Sequence, residues 1–490
     1  MRLPRVLPAL LSFAGTLAAQ SAPDTLRLTL DEAVLLAQSE SPSAAVARTR
    51  LSNRYWFYQS ALADFKPQID LAGTVPLLNR SIEPIVLPDG DEAFVQRALM
   101  RNSLALSISQ EIPLTGGTVF ASTGLERLDI FKQDGEPGRT SYLSTPISIG
   151  YRQGLSGYNA LKFARRRAPL EYREAELRFR EDREDLALQA ARGFFDVLSS
   201  ELALAAARTR RDNADTLLAV SQGRFSVGRI AETELLVIEL AALNANTEVE
   251  QARVELRRDT EALRNFLGLR ETVAFAPIAP AQLPEFSVDA DTALAYARAN
   301  RSEIVGYRRR LLEAEEENTA ARAESGIAGD LFVNFRLSQT AADLGDAYVD
   351  PLDNEQLTLG LSVPIADFGK RRARREVAES NAELARLTTE QEEIALEQNV
   401  LLLVRQFDLL RNNVGLARRA YEVAERGLDI TRRRYLIGKI GITDLTVAID
   451  QQERARSLYI EALRAFWLGY YELRLNTLYD FRAGRGLNTD

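Results

Sequence analysis

The chain has 490 residues, enough for two or three domains or for one elongated molecule, and its formal net charge is −8. It contains no cysteine and no histidine, which excludes disulfides, thiol chemistry, the usual zinc and haem ligands and the commonest general base. The acidic balance disfavours a nucleic-acid partner.

The start of the chain predicts a secretory signal peptide, residues 1–19. Arg2 and Arg5 precede an apolar run from Val6 to Ala18, and small residues follow. A membrane anchor is the alternative, but the apolar run is too short to span a bilayer. No later segment has the apolar length of a transmembrane helix. A chain of this kind that crosses a membrane must do so with strands.

Long helices dominate the predicted secondary structure. Segments rich in Ala, Leu, Glu and Arg repeat apolar residues every three or four positions. The predicted helices are 30–64, 160–222, 230–269, 288–325, 370–434 and 440–477. The two longest would each extend roughly 95–100 Å, far beyond an ordinary globular helix. They predict an antiparallel bundle with coiled-coil packing.

Six strands are predicted from alternating apolar and polar residues. In one of them, Leu357, Leu359 and Leu361 alternate with smaller and polar residues. The predicted strands are about 67–76, 102–113, 118–129, 144–154, 330–339 and 356–365. Each has about the length that a tilted membrane strand needs. Because six strands leave open edges and cannot enclose a pore, we expect several copies to share one barrel; a soluble sandwich is the alternative.

Three pairs of similar segments occur in the same order and predict an internal duplication. The clearest pair is RFSVGRIAETEL at 224–235 and RYLIGKIGITDL at 434–445. The other pairs begin at Leu30 and Val288, and at Ser103 and Gln356. The predicted repeats are 20–269, with a helix, barrel strands 67–154 and a helical hairpin 160–269, and 270–490, with a linker, a helix, barrel strands 330–365, a hairpin 370–477 and a C-terminal tail.

The signal peptide, the LxxAxxxA openings, the strands that end in an apolar-Pro-apolar step and the paired turns together resemble the TolC-like outer-membrane efflux proteins. The resemblance implies an α+β membrane protein: a homotrimer with a shared β-barrel among outer-membrane lipids and a coiled-coil helical tunnel in the periplasm. It also implies a channel of a tripartite efflux pump, which conducts small molecules to the exterior. The partners implied are a periplasmic adaptor protein and an inner-membrane transporter.

The resemblance assigns the two turns to the periplasmic tips of the helical hairpins, where an adaptor docks. The expected docking residues are Val227, Gly228, Ile437 and Gly438. The glycines permit left-handed backbone and the close approach of a partner. The plainer alternative is that these residues only turn the chain.

The resemblance also places a periplasmic gate just beyond the tips, with Thr233, Glu234, Tyr435 and Asp444 as its candidate residues. Three converging Asp444 side chains would form an anionic ring that favours cations. Helix capping is the plainer role for the threonines and acids. Two gate positions depart from the family, because Ile440 replaces an arginine and Val447 replaces an acid. Arg229, Arg434 or Lys439 are candidates for the missing cation.

Aromatic residues occur in two clusters, at 55–58 and 466–471. They could anchor the chain at a membrane interface or pack inside the helical bundle, and the sequence leaves both roles as alternatives.

Three other functions remain as alternatives: the exit duct of a type I protein secretion system, a non-transporting periplasmic coiled coil, and a secreted enzyme. An enzyme such as a glycosidase needs paired carboxylates in a compact core, whereas these acids are spread over helices. We therefore predict no catalytic residue, no cofactor and no metal site.

Overall fold

The computed structural model combines long helices with antiparallel sheet, as the sequence predicts. It describes residues 26–86, 90–131, 137–155, 157–269, 275–280, 283–363, 365–437 and 439–487. The predicted signal peptide, Pro364 and Gly438 lie outside these ranges. The proposed two-repeat organisation remains a prediction.

Eight α-helices occur in the described ranges. They are α1 Leu30–Ser39, α2 Pro42–Ala63, α3 Ala160–Ser226, α4 Glu232–Leu267, α5 Ala290–Asn300, α6 Ser302–Ser325, α7 Lys370–Leu436 and α8 Ile442–Thr477. The prediction of single helices at 30–64 and 288–325 was wrong, because each of these segments is broken into two. None of the described helices contains a stretch apolar and long enough to cross a membrane.

The first break is fixed by Ser41 and Pro42. A residue before proline disfavours helical backbone, so α1 ends at this point. The buried Ser41 hydroxyl donates a hydrogen bond to the Ala37 carbonyl at 2.6 Å and accepts one from the Ala44 N–H at 3.0 Å. Ser41 therefore closes one helix and caps the next.

The second break lies at Arg301, whose backbone is extended. The N–H and hydroxyl of Ser302 donate to the Glu181 carboxylate at 2.7 and 2.6 Å, so a side chain from α3 caps α6. Burial raises the pKa of the Glu181 carboxyl above its ordinary value, although the nearby Arg301 charge and the Ser302 hydrogen bonds oppose that shift.

The strands include all six that were predicted. The described strands are β1 Leu26–Leu28, β2 Gln68–Val86, β3 Glu92–Ile112, β4 Gly117–Ile130, β5 Arg139–Gly154, β6 Phe275–Pro277, β7 Ala328–Ala341, β8 Leu352–Ser362, β9 Tyr479–Asp480 and β10 Arg485–Gly486. The predicted end at residue 76 and the predicted start at residue 102 were wrong, because β2 continues through Pro76 and β3 begins at Glu92. A register shift between Thr74 and Leu77 accommodates this proline outside the regular ladder.

The six long strands form one antiparallel sheet in the order β2-β3-β4-β5-β7-β8. One face, called the apolar face below, carries exposed large apolar side chains on paired positions. Its members include Ile69, Leu71, Leu104, Leu106, Ile108, Ile149, Val333, Phe335, Leu357 and Leu359. The opposite face is more polar; there the Ser148 hydroxyl donates to Asn334 Oδ1 at 3.0 Å.

The chain divides into two compact units, and each contains parts of α3 and α7. The sheet unit comprises 46–182, 288–405 and 473–490, and it holds the six-stranded sheet. Of the described residues, the helical unit comprises those within 26–45, 183–287 and 406–472. It contains both predicted tips.

Contacts within the helical unit give the lateral order α4-α3-α8-α7. Leu204 of α3 packs in one cluster with Val249 of α4. The Arg464 guanidinium of α8 lies 2.6 Å from the Asp196 carboxylate of α3. Tyr421 of α7 stacks on a tyrosine of α8 at a ring distance of 6.1 Å. Among these four helices, α4 and α7 are therefore the ends of the row, and α1 also contacts α4.

The aromatic residues at 466–471 lie in the core of the helical unit. Phe466, Trp467, Tyr470 and Tyr471 are buried, and the Phe466 ring centre lies 5.0 Å from that of Phe407. This cluster serves bundle packing. Of the residues at 55–58, Tyr58 stacks on a tyrosine of α3, whereas Trp56 and Phe57 are exposed.

Candidate functional site

The first tip is the turn between α3 and α4. The Arg229 N–H donates to the Arg224 carbonyl at 2.9 Å, and the Gly228 N–H donates to the Phe225 carbonyl at 2.9 Å. Gly228 has φ +69°, so this is a Schellman-type helix end with glycine in left-handed conformation. A Cβ at Gly228 would meet no atom within 4 Å. The backbone conformation, and not the available space, therefore calls for glycine.

The second tip, between α7 and α8, repeats this geometry where it is described. The Lys439 N–H donates to the Arg434 carbonyl at 3.0 Å, which is the counterpart of the bond from Arg229. Val227 is 68% exposed and Ile437 is 66% exposed, so each turn presents an apolar side chain to its surroundings. The fourth predicted docking residue, Gly438, lies outside the described ranges.

The Gly228→Ala variant is expected to weaken the first tip by about 1 kcal/mol, because a left-handed residue with a Cβ is strained. Gly223→Ala is a matched control in the last turns of α3, where a Cβ also meets nothing within 4 Å. That control is expected to stabilise the helix by roughly 0.5–1 kcal/mol. Thermal unfolding and amide exchange at the tip measure both effects. Equal effects of the two substitutions would contradict the assignment.

The predicted gate residues lie at the starts of the returning helices. Thr233 and Glu234 are in the first turn of α4, and both are exposed. The first residue before α4 is Ala231, which makes no side-chain capping bond, so the capping role considered for Thr233 was wrong. The first turn of α8 differs, because the Asp444 carboxylate accepts the Gly441 N–H at 3.2 Å. Asp444 therefore caps its own helix.

The structure also shows where Tyr435 lies, and where the two residues that depart from the family pattern, Ile440 and Val447, lie. Tyr435 lies in the last turn of α7 and is exposed. Ile440 is half-buried in the turn, and Val447 is exposed in α8. The three candidate cations Arg229, Arg434 and Lys439 are exposed at the turns. A single chain thus brings the gate candidates to the ends of two hairpins, with their side chains open to further contacts.

Two exposed apolar stripes were missed in the sequence analysis. The α7 stripe consists of Leu409, Leu416, Val423 and Ile430, which are 54–71% exposed. The α4 stripe consists of Leu236, Leu240 and Leu243, which are 55–59% exposed. The seven-residue spacing along α7 was the available signal, since it marks one face of a supercoiled helix.

Helix α7 has a second apolar face, and this one is buried. Phe407 and Val414 are almost fully buried, and their spacing is also seven residues. Each lies two residues before a member of the α7 stripe, so the two faces are nearly opposite on the helix. One face packs against α8, and the other has no partner among the described residues.

The described ranges contain no group of three or more carboxylates arranged to hold a metal ion. The features that stand out are therefore the two turns, the helix starts beside them and the apolar stripes.

Comparisons with known proteins bear on this arrangement. Residues 293–467 match the family model described as outer membrane efflux protein. Proteins of this family are channels and not enzymes, as expected for this chain. No curated protein sequence matches the chain.

Solved structures resemble the chain over nearly its full length. The Campylobacter jejuni CmeC outer membrane channel is 14% identical with a TM-score of 0.65, and the match covers 99% of this chain and 96% of that one. A membrane protein from Pseudomonas aeruginosa is 16% identical with a TM-score of 0.64, covering 98% and 99%. The open state of the Neisseria gonorrhoeae MtrE outer membrane channel is 14% identical with a TM-score of 0.59, covering 99% of each. At these identities the likeness is one of fold.

Proposed function

We propose that the chain is the outer-membrane channel of a tripartite efflux pump. Residues 293–467 match the outer membrane efflux protein family model, and the chain has the fold of solved outer-membrane channels. Three copies form a conduit through which small molecules pass from the periplasm to the exterior. The channel extends from the outer membrane into the periplasm. It docks there onto an adaptor protein that connects it to an inner-membrane transporter.

The observation that carries this proposal is the pair of exposed apolar stripes on the two end helices of the α4-α3-α8-α7 row. Within the helical unit α4 and α7 are the ends of the order α4-α3-α8-α7, and each end helix exposes an apolar stripe. In the proposed ring the α7 stripe of one copy packs against the α4 stripe of the next. Such a head-to-tail contact closes into a ring when the rotation is right.

The sheet supports the same closure. Its edge strands β2 and β8 have free hydrogen-bonding edges among the described residues, and open edges of this length invite pairing. Three six-stranded sheets joined edge to edge would give a barrel of 18 strands, a size that leaves an aqueous channel. The apolar face would then contact lipid, and the polar face would line the lumen.

The two turns are the docking tips of this assembly. Val227 and Ile437 present exposed apolar side chains there, and the open space beside Gly228 admits a partner's backbone. Because each chain has two similar turns, three copies would offer six related sites around one ring. An adaptor that carries a helical hairpin can use such sites repeatedly.

The gate of the proposed channel lies immediately beside these tips. Glu234, Asp444 and Tyr435 are exposed at the helix ends in a single chain, where neighbouring hairpins would meet in the ring. Carboxylates brought together near one axis repel each other, unless nearby cations such as Arg434 compensate for them. A closed state that is held by ion pairs between these carboxylates and nearby cations can open when a partner rearranges the tips.

The proposal is tested by measuring assembly and conduction together. The protein is extracted from outer membranes in detergent, its mass is determined by light scattering, and its conductance is recorded in planar bilayers. We expect a trimer of a 54.5 kDa chain, less any leader removed, that conducts weakly in the absence of its partners. A water-soluble protein without channel activity would instead identify a periplasmic coiled coil. Weak binding of small molecules but strong association with a secretion ATPase would favour a protein exit duct.

A further inference from the structure

The loop between β7 and β8, residues 342–351, has an ordered structure of its own. It contains a short 3₁₀ helix, Asp346–Tyr348. The Ala347 N–H donates to the Asp343 carbonyl at 3.3 Å, and the Val349 N–H donates to the Asp346 carbonyl at 3.1 Å. Ala347 is fully buried. The loop is therefore folded against the sheet.

Two side chains of the sheet hold this loop by its backbone. Gln339 Nε2 donates to the carbonyls of Val349 and Asp350 at 3.2 and 3.0 Å. The buried Ser144 hydroxyl donates to the Ala347 carbonyl. Gln339 and Ser144 are register partners on neighbouring strands. Three backbone carbonyls of the loop are thus satisfied by the sheet.

The register places the loop on the apolar face. Successive side chains of a strand alternate between faces, so Gln339 shares its face with Phe335 and Val333. A register shift between Ser144 and Ile147 brings Ser144 to that same face. The loop consequently lies over one end of the apolar face. This is the end opposite to the one at which β7 and β8 connect to helices α6 and α7.

Charged residues lie on the apolar face next to the loop. On the apolar face Phe335 pairs with Glu355, and Leu337 pairs with Asp353. The apolar face therefore gives way to charged side chains just below the loop. A membrane protein makes this change at the boundary between hydrocarbon and headgroups.

The loop itself exposes three large side chains at this boundary. Leu344 and Tyr348 are each 48% exposed, and Val349 is 56% exposed. Apolar residues together with a tyrosine are typical of a membrane interface. The satisfied carbonyls also suit a lipid environment, where water is scarce and unpaired backbone groups are costly.

We propose that the 342–351 loop is a lipid anchor, which inserts Leu344, Tyr348 and Val349 into the headgroup boundary of the outer leaflet. This inference rests on the proposed function, because it needs the sheet to span the outer membrane. Lipid is the favoured occupant because Leu344, Tyr348 and Val349 are exposed at the level where the apolar face, which the same proposal assigns to lipid, gives way to charged side chains. A protein covering the loop is the competing outcome of the test.

The absence of cysteine from the whole chain makes single-cysteine labelling straightforward. Leu344→Cys and Val349→Cys are each spin-labelled and reconstituted into phosphatidylcholine vesicles. Collision with oxygen, which concentrates in lipid, is compared with collision with a water-soluble nickel chelate. For both labels we expect oxygen collisions to exceed nickel collisions several-fold.

Two further labels make the result specific. Leu143→Cys is the matched control, because Leu143 pairs with Thr340 beside the loop but on the opposite face of the sheet. Its label is expected to collide mainly with the nickel chelate. Leu357→Cys reports on the apolar face itself, where it is 75% exposed. Its label is expected to collide mainly with oxygen.

The outcomes separate the anchor from the proposed function. Nickel-accessible loop labels with an oxygen-accessible Leu357 label would overturn the anchor and leave the membrane-spanning sheet intact. Loop labels shielded from both reagents would overturn it in favour of a covering protein. A nickel-accessible Leu357 label would overturn the anchor together with the membrane assignment.

Discussion

Replacing Val423 and Ile430 together with glutamate is expected to convert the assembled protein into monomers. Both residues belong to the α7 stripe and lie near the turns, as the α4 stripe does. In one copy the new carboxylates would be solvated, so the chain should still fold. In the proposed ring they would be buried against apolar side chains, at a cost of several kcal/mol for each charge.

Light scattering in detergent measures this change in mass, and circular dichroism checks that the helices are retained. Leu458→Glu is the control, because Leu458 is 65% exposed on α8, an inner helix of the row. That variant is expected to remain assembled. A Val423→Glu, Ile430→Glu protein that stays trimeric would show that the stripes do not form the interface between copies.

The second large effect concerns the proposed gate, where Asp444→Ala and Glu234→Ala are expected to raise the conductance of the isolated channel. In the proposed closed state, neighbouring hairpins hold each carboxylate by a polar contact. Loss of one hydrogen bond to a charged group costs about 1.5–3 kcal/mol. A change of about 1.4 kcal/mol between closed and open states shifts their ratio roughly tenfold. Removal of carboxylates should also lower the preference for cations, which the reversal potential in a salt gradient measures.

Asp444→Asn separates the charge of this residue from its capping role. The asparagine keeps an oxygen that can accept the Gly441 N–H, as Asp444 does at 3.2 Å, but it carries no charge. If charge holds the gate, Asp444→Asn should raise the conductance as much as Asp444→Ala. If only the alanine variant conducts more, fraying of α8 explains the effect, and the gate assignment of Asp444 fails.

The helices could be predicted from the sequence because their apolar spacing is a local property. The starts and ends of α3, α4, α7 and α8 all lie within four residues of the predicted limits. The two breaks were missed for different reasons. Pro42 was a local signal that could have been used. The break at Arg301 depends on the Glu181 carboxylate, which is distant in sequence, and only the tertiary structure brings it to Ser302.

The strands and the candidate site show the same division between local and distant causes. Alternation predicted where the strands lie, but the extension of β2 past Pro76 depends on a register shift in its pairing with β3. The paired turns were recognisable because the bond from Arg229 to Arg224 and the bond from Lys439 to Arg434 lie within short matching segments. The seven-residue spacing marks the α7 stripe in the sequence, but whether that face is exposed depends on which helices become neighbours.

The pairing of β1 with β6 has a consequence for the order in which the chain folds. Leu26 pairs in parallel with Phe275, so the first described strand finds its partner only after more than half of the sequence has been made. Closing so long a loop is entropically unfavourable until other contacts have brought its ends together. The hairpins can form from neighbouring residues, whereas this short ladder must wait for them. Its formation therefore reports that the chain between Leu28 and Phe275 has already brought these two strands together.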